Sequence, residues 1–242
     1  MLRSLVNSTL DLIYPRKCPA CKRARAGTYV HEAVCSSCWD SIIRNEPPFC
    51  LSCGRHLSAK RATKQLCTHC RQNTAVYEGA FAPCVYTGVI QELIHEFKYR
   101  GKDYLITALG ALMVDFIHAF SLPVDMFEAV IPIPLHPVKL REREFNQAER
   151  LGSVIAQTFN LQLLKKALIR ARDTPPQADL TDRQRRIQNV RGAFSVAQPD
   201  RIRGRNILMI DDVLTTSATV SEAARALKQR GAGAVFVLTL AN

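Results

Sequence analysis

Apolar residues in this chain follow two periods, and the switch between them marks out its elements. The runs at 129–134 and 207–210 are continuously apolar, as in strands buried on both faces of a parallel sheet. Elsewhere the spacing is three and four: Val89, Ile90, Leu93, Ile94 and Phe97 form one stripe, and Leu105, Leu109, Leu112, Met113, Phe116 and Ile117 another. These stripes predict helices over 89–100, stopped by Gly101, and over 103–120; further helices are predicted over 146–159 and 220–230, the last closed by Gly231. Strands are placed near 81, 129, 163, 193, 207 and 234, with one strand over 161–170 and a hairpin between 193 and 207. Strands alternating with helices predict an α/β fold with a parallel-rich sheet covered on both faces.

The first 75 residues lack both periods and are dominated by cysteine. They read Cys18-x-x-Cys21, Cys35-x-x-Cys38, Cys50-x-x-Cys53 and Cys67-x-x-Cys70, and each cysteine of the first two pairs recurs 32 residues later. Two thiolates on one tight turn share a tetrahedral Zn²⁺, and two such turns complete a Cys₄ site. Pairing within each repeat, a double zinc ribbon, leaves each copy self-sufficient; a cross-brace joining Cys18/Cys21 to Cys50/Cys53 has compatible spacing. Four thiolates leave no open position for a substrate, so both zincs are expected to be structural. His31, His56 and His69 are expected at the surface rather than on the metal, and Cys84 as a small buried hydrophobe. Residues 1–75 are therefore expected to form a zinc module and 76–242 an α/β domain, the module needing its metal because it has few large apolar side chains.

Composition adds two constraints. With 47% hydrophobic and 22% charged residues, disorder is not the expectation. The formal charge of +12 favours anionic partners such as nucleic acid or phosphates. Two zinc tetrathiolates, each −2, lower this to +8, so the basic excess is moderate. Residues 165–191 hold eight Lys/Arg against three Asp, a local +5 suited to polyphosphate or single-stranded nucleic acid. Aromatic residues near such sites are sparse, which weakens a base-stacking reading. No apolar run approaches the ~20 residues of a membrane span, and 1–15 reads as a short amphipathic helix rather than a signal peptide, so a cytoplasmic location is expected.

The chemistry concentrates at 206–220, Asn-Ile-Leu-Met-Ile-Asp-Asp-Val-Leu-Thr-Thr-Ser-Ala-Thr-Val. A buried strand ends in the acidic pair Asp211 and Asp212, and a loop of small hydroxyl residues leads into a helix. Loop N–H groups and hydroxyls at a helix N-terminus wrap a phosphate, while the carboxylates accept hydrogen bonds from ribose hydroxyls, directly or through Mg²⁺. This stretch resembles the phosphoribosyl-pyrophosphate (PRPP) motif of type I phosphoribosyltransferases. The resemblance implies Asp211 and Asp212 as the catalytic carboxylates at the ribose, Thr215, Thr216, Ser217, Ala218 and Thr219 as the 5-phosphate loop, and Mg²⁺ arriving with PRPP. Ser217 stands where that family usually has Gly. If the position requires φ > 0, Ser carries strain on the order of 1–2 kcal/mol.

A second segment, Pro132-Ile133-Pro134-Leu135-His136-Pro137 followed by Arg141-Glu142-Arg143-Glu144-Phe145-Asn146-Gln147, narrows the resemblance. It is similar to the competence protein F (ComF) family, whose members couple a zinc-ribbon region to a phosphoribosyltransferase-like domain. The likeness implies a pyrophosphate loop carrying Lys139, Arg141, Arg143, Asn146 and Gln147, with Glu144 where the family has Gly. It also implies a mobile loop within the long polar stretch 172–189, carrying Thr174, Gln177, Arg183 and Asn189.

Two functions follow. By resemblance, the chain belongs to DNA uptake and natural transformation, binds a PRPP-type ligand, and meets single-stranded DNA or a competence protein such as a helicase or recombination mediator. The alternative is an active PRPP-dependent transferase of nucleotide metabolism, in which a nitrogen base displaces pyrophosphate from C1. Nothing in the sequence identifies a base-recognition pocket.

Overall fold

The computed structural model describes residues 17–23, 28–58, 65–72, 75–98, 102–174 and 183–242. The first cysteine repeat contributes β1 (Tyr29–Val30), β2 (Val34–Cys35) and α1 (Ser36–Asp40), and the second contributes α2 (Thr68–Arg71). Next come β3 (Gly79–Phe81), α3 (Gly88–Phe97), α4 (Ile106–Ala119), β4 (Ala129–Pro132), α5 (Pro137–Arg143) and α6 (Gln147–Thr158). The chain continues through β5 (Gln162–Leu163), β6 (Leu168–Arg170), α7 (Arg183–Val190), β7 (Phe194–Val196), β8 (Ile207–Val213), α8 (Ala218–Gln229) and β9 (Val235–Ala241).

Five strands form one sheet in the order β3-β9-β8-β4-β5, every neighbouring pair parallel. The continuous apolar runs explain why: a parallel strand has helices against both faces and no polar side to show. Successive residues still part to opposite layers. Val130, Leu208, Ile210, Leu238 and Leu240 join α3, α4 and α6, while Ala129, Ile131, Ile207, Met209, Val235 and Val237 join α8. Ile207, Leu208, Met209 and Ile210 are at most 1% exposed, and each such side chain contributes roughly 1.5–3 kcal/mol of burial. From β4 the chain crosses to β5 on one side, and from β8 it crosses to β9 on the other. The gap between β4 and β8 is therefore the topological switch point, where open α/β sheets place their ligands.

The structure corrects several sequence expectations. The strand over 161–170 is two strands: β5 ends at the sheet edge, and β6 leaves the sheet to pair antiparallel with β7. The expected hairpin between 193 and 207 is thus replaced by a ladder between 168–170 and 194–196, with α7 inside the connection. The polar stretch 172–189 is not all loop, since α7 begins at Arg183. The expected loop after β4 is also partly helical: Pro137 at the start of α5 loses only a hydrogen bond that a first-turn N–H would lack anyway.

The two cysteine repeats lie against opposite layers of the sheet. Cys18, Ala33, Val34, Cys38 and Ile42 pack into the α3–α4–α6 layer, and Cys50, Cys53, Leu57, Cys67 and Cys70 into the α8 layer. Buried Asn45 lies between the repeats. Its Nδ2 donates to the carbonyls of Ala82 and Cys84 and to Asn242 Oδ1, and Asn242 Nδ2 donates to the carbonyl of Cys53.

Candidate functional site

Cysteine spacing becomes geometry through two nearly identical turns. Lys22 N–H donates to the Cys18 carbonyl and Gly54 N–H to the Cys50 carbonyl, each at 2.8 Å. Cys18 N–H bonds the Arg23 carbonyl at 3.0 Å, and Cys50 N–H the Arg55 carbonyl at 2.8 Å. The sulfurs gather as Cys18/Cys21/Cys35/Cys38 and Cys50/Cys53/Cys67/Cys70, all within 4.8 Å of one another in each group. Pairing is therefore within each repeat, and the cross-brace is not formed. Sγ–Sγ separations of 3.9 Å for Cys21–Cys35 and 3.8 Å for Cys53–Cys67 exclude a disulfide. They match the edge of about 3.8 Å that Zn–S bonds of 2.3 Å imply for a tetrahedron. Both tetrads fit a structural Zn²⁺ with no position left for substrate. His31 instead meets the Trp39 ring edge-on at 5.4 Å, and His56 Nδ1 lies 2.8 Å from the Glu46 carbonyl. Neither tetrad includes His69. Cys84 is fully buried, and burial pushes its thiol up to about 11.

The second centre is a cavity of about 570 Å³ at the carboxyl ends of β4 and β8. Asp211, Asp212, Thr215 and Thr219 enter from β8 and the start of α8. Lys139, Arg143, Asn146 and Gln147 enter from α5 and α6, and Thr174 from beyond β6. Arg141, Thr216, Ser217, Ala218 and Asn189 do not line it. Gln177 lies outside the described residues, and Arg183 is the first residue of α7. Several walls were not singled out from the sequence: Lys98, His136, Arg170, Asp173 and Arg186 also face the cavity. Its charged lining is five Lys/Arg (98, 139, 143, 170, 186) against four acids (142, 173, 211, 212).

The acidic pair is held from several sides. Lys98 Nζ lies 2.8 Å from Asp212 Oδ2, and Asp211 Oδ1 accepts the Asp212 backbone N–H at 2.9 Å. Burial pushes the Asp211 carboxyl up to about 7 and the Asp212 charge adds to it, while the Asp212 N–H, Lys98 and Arg170 pull the other way. Burial acts to lower the Lys98 pKa, but the Asp212 carboxylate outweighs it and the net shift is upward. Arg170 is stacked on Phe194 with 5.6 Å from Cζ to the ring, and Nη2 donates to Thr174 Oγ1. Its Nε is buried without a partner among the described residues. Burial leads the downward shift of the Arg170 pKa, against the pull of Asp211 and Asp173.

The hydroxyl loop has the expected backbone. Ser217 is the N-cap of α8 in the left-handed conformation, φ 62°, with no side-chain cap. No acidic residue occupies the first turn of α8, so the N–H groups there have no side-chain competitor for an anion. Glu144 likewise sits at φ 67°, closing α5, so both departures from glycine stand at positions that require φ > 0. Asn146 caps α6, its Oδ1 accepting the Ala148 N–H while Nδ2 donates to the Ile133 carbonyl. Gln147 accepts from Arg143 Nη1 at 3.2 Å and donates to the Phe97 carbonyl. Lys139 pairs with Glu142 at 2.8 Å. Within the basic stretch, Arg172 bridges the carbonyls of Asn189 and Arg191 and Lys165 pairs with Glu149, so the local charge is partly engaged.

Residues 9–71 match the double zinc ribbon domain family. The chain is 28% identical over 231 residues to the DNA utilization protein YhgH of Escherichia coli K12, covering 95% of this chain and 98% of that protein. It is 27% identical to competence protein F of Haemophilus influenzae over 230 residues, covering 92% and 96%. The glutamine PRPP amidotransferase of B. subtilis overlays 60% of this chain and 30% of its own, at 18% identity and a TM-score of 0.38. The chain is therefore similar over most of its length to the competence F and DNA utilization proteins, and residues that match a double zinc ribbon precede a parallel α/β sheet.

Proposed function

We propose that this chain serves DNA uptake and utilization in the cytoplasm as a phosphoribosyltransferase-like protein whose cavity binds PRPP or a related phosphoribosyl ligand. One observation carries the reading. At the switch point of the sheet, an acidic pair and the hydroxyl loop that follows it, with open helix N–H groups, share one cavity with a basic segment from a separate part of the sequence. Asp211 and Asp212 face the ribose, Thr215 and Thr219 the 5-phosphate, and Lys139 with Arg143 the pyrophosphate. Thr174 and Arg170 close the opposite wall. In this division residues 1–75 brace the fold and 76–242 carry the pocket. The DNA function rests on the competence and DNA utilization relatives and on the basic excess, with single-stranded DNA, or a helicase or recombination mediator loading it, as the partner.

Calorimetric titration of zinc-loaded protein with PRPP, and separately with a single-stranded oligonucleotide, tests both halves. Saturable PRPP binding is expected, at least tenfold weaker in an Asp211→Asn/Asp212→Asn variant that still binds the oligonucleotide. Unchanged PRPP affinity in that variant removes the pocket assignment. Pyrophosphate release in the presence of a nitrogen base would convert the reading to a working transferase.

A further inference from the structure

We infer that Lys98 takes the place of a divalent cation at the acidic pair, so that the cavity binds its phosphoribosyl ligand without Mg²⁺. This rests on the phosphoribosyl reading of the same cavity and concerns which ionic form of the ligand it accepts.

A Mg²⁺ ion bound through this pair needs near-octahedral oxygen ligands at about 2.0–2.1 Å and open directions from the carboxylates. Here Asp212 Oδ2 already receives the Lys98 ammonium at 2.8 Å, and Asp211 Oδ1 receives a backbone N–H. The lysine is not a surface group at rest on a nearby acid. Its side chain is 26% exposed and that of Asp212 16%, and it projects from the position immediately after α3 into the cavity. The Arg170 guanidinium lines the same cavity, with its Nε buried and unpartnered among the described residues. A divalent ion brought to Asp212 must displace one fixed cation and approach another. An anionic ligand meets the opposite balance: two preplaced cations offset the acidic pair, and Lys139 and Arg143 remain for its phosphates. Asp211 Oδ2 and Asp212 Oδ1 have no partner among the described residues, so the ribose hydroxyls can still donate to them.

The test is calorimetry with PRPP on the full zinc-loaded chain, once with millimolar Mg²⁺ and once with Mg²⁺ omitted and the apo-buffer treated to remove it. Wild-type affinity is expected to agree within about twofold between the two conditions. In Lys98→Met, metal-free affinity is expected to fall at least about tenfold, and Mg²⁺ to restore much of it by reaching the vacated carboxylate. A wild-type affinity that rises tenfold or more on adding Mg²⁺ overturns the inference and leaves the phosphoribosyl site standing. Binding under neither condition overturns both. The wild-type comparison is decisive even if the variant fails to fold.

Discussion

The two cysteine repeats share spacing, turn hydrogen bonds and ligand geometry, yet the fold uses them differently. The first tetrad leaves Cys21 and Cys35 half-buried, whereas all four cysteines of the second are buried. Equivalent turn positions show why. Lys22 and Gly54, 32 residues apart, both adopt positive φ, 59° and 71°. Lys22 is exposed and reaches Glu96 on α3. A Cβ on Gly54 would come within 2.5 Å of the Ala80 carbonyl on β3, so only glycine lets the second turn pack against the sheet. The second repeat is also the one near the hydroxyl loop. Tyr77, 4% exposed, packs in the same cluster as its cysteines; burial pushes its hydroxyl up to about 12, and the nearby Ser217 hydroxyl pulls the other way. The same local motif is thus a peripheral brace in one copy and a core component in the other. Ligand spacing sets the metal site, and the surroundings set what depends on it.

Breaking one tetrad at a time tests that asymmetry most strongly. Cys53→Ser is expected to halve the zinc content and to lower unfolding free energy by several kcal/mol, because a structural site's binding energy is folding energy. Cys21→Ser should halve the zinc equally but lower stability by roughly half as much, with PRPP binding retained. Metal analysis and urea unfolding decide this; equal losses would mean that the two layers depend on their ribbons equally.

Chelation sharpens the same contrast without mutation. Metal release followed by a chromogenic chelator is expected to be biphasic, one zinc leaving several-fold faster, and Cys21→Ser should abolish the fast phase. Loss of the slow phase instead would reverse the assignment.

The smallest effect concerns the junction. The Tyr77 hydroxyl is buried without a hydrogen-bond partner among the described residues, although it lies near Ser217. Tyr77→Phe is expected to stabilise the chain by on the order of 1 kcal/mol, as removing an unsatisfied buried group does. A loss of similar size in urea unfolding would show that the hydroxyl is bonded, wiring the second ribbon to the hydroxyl loop.

Local chemistry made much of this molecule legible before its structure. Eight cysteines at fixed spacing identify two tetrahedral sites, because a Cys-x-x-Cys turn is closed by its own backbone. The run 207–210 announces a central parallel strand, since only a strand covered on both faces is apolar at every position. A hydroxyl loop announces the start of a helix, whose first N–H groups carry no side-chain cap.

What failed depended on partners distant in sequence. Residues 168–170 were read as continuing 162–163, and only the antiparallel contact with 194–196 takes them out of the sheet. Lys98 reads in sequence as a basic helix end, which suits the helix dipole anywhere; its contact with Asp212 exists only because α3 and β8 meet at the same cavity. Arg170, His136 and Asp173 join it in the same way. By itself the sequence determined the four Cys-x-x-Cys pairs, the central strand and the hydroxyl loop, each built from residues within a few turns of one another, while it left open how the pairs combine. Only the tertiary structure decided which layer each ribbon supports and which cation neutralises the acidic pair, because burial and charge at those places are set by side chains that the chain brings together only when folded.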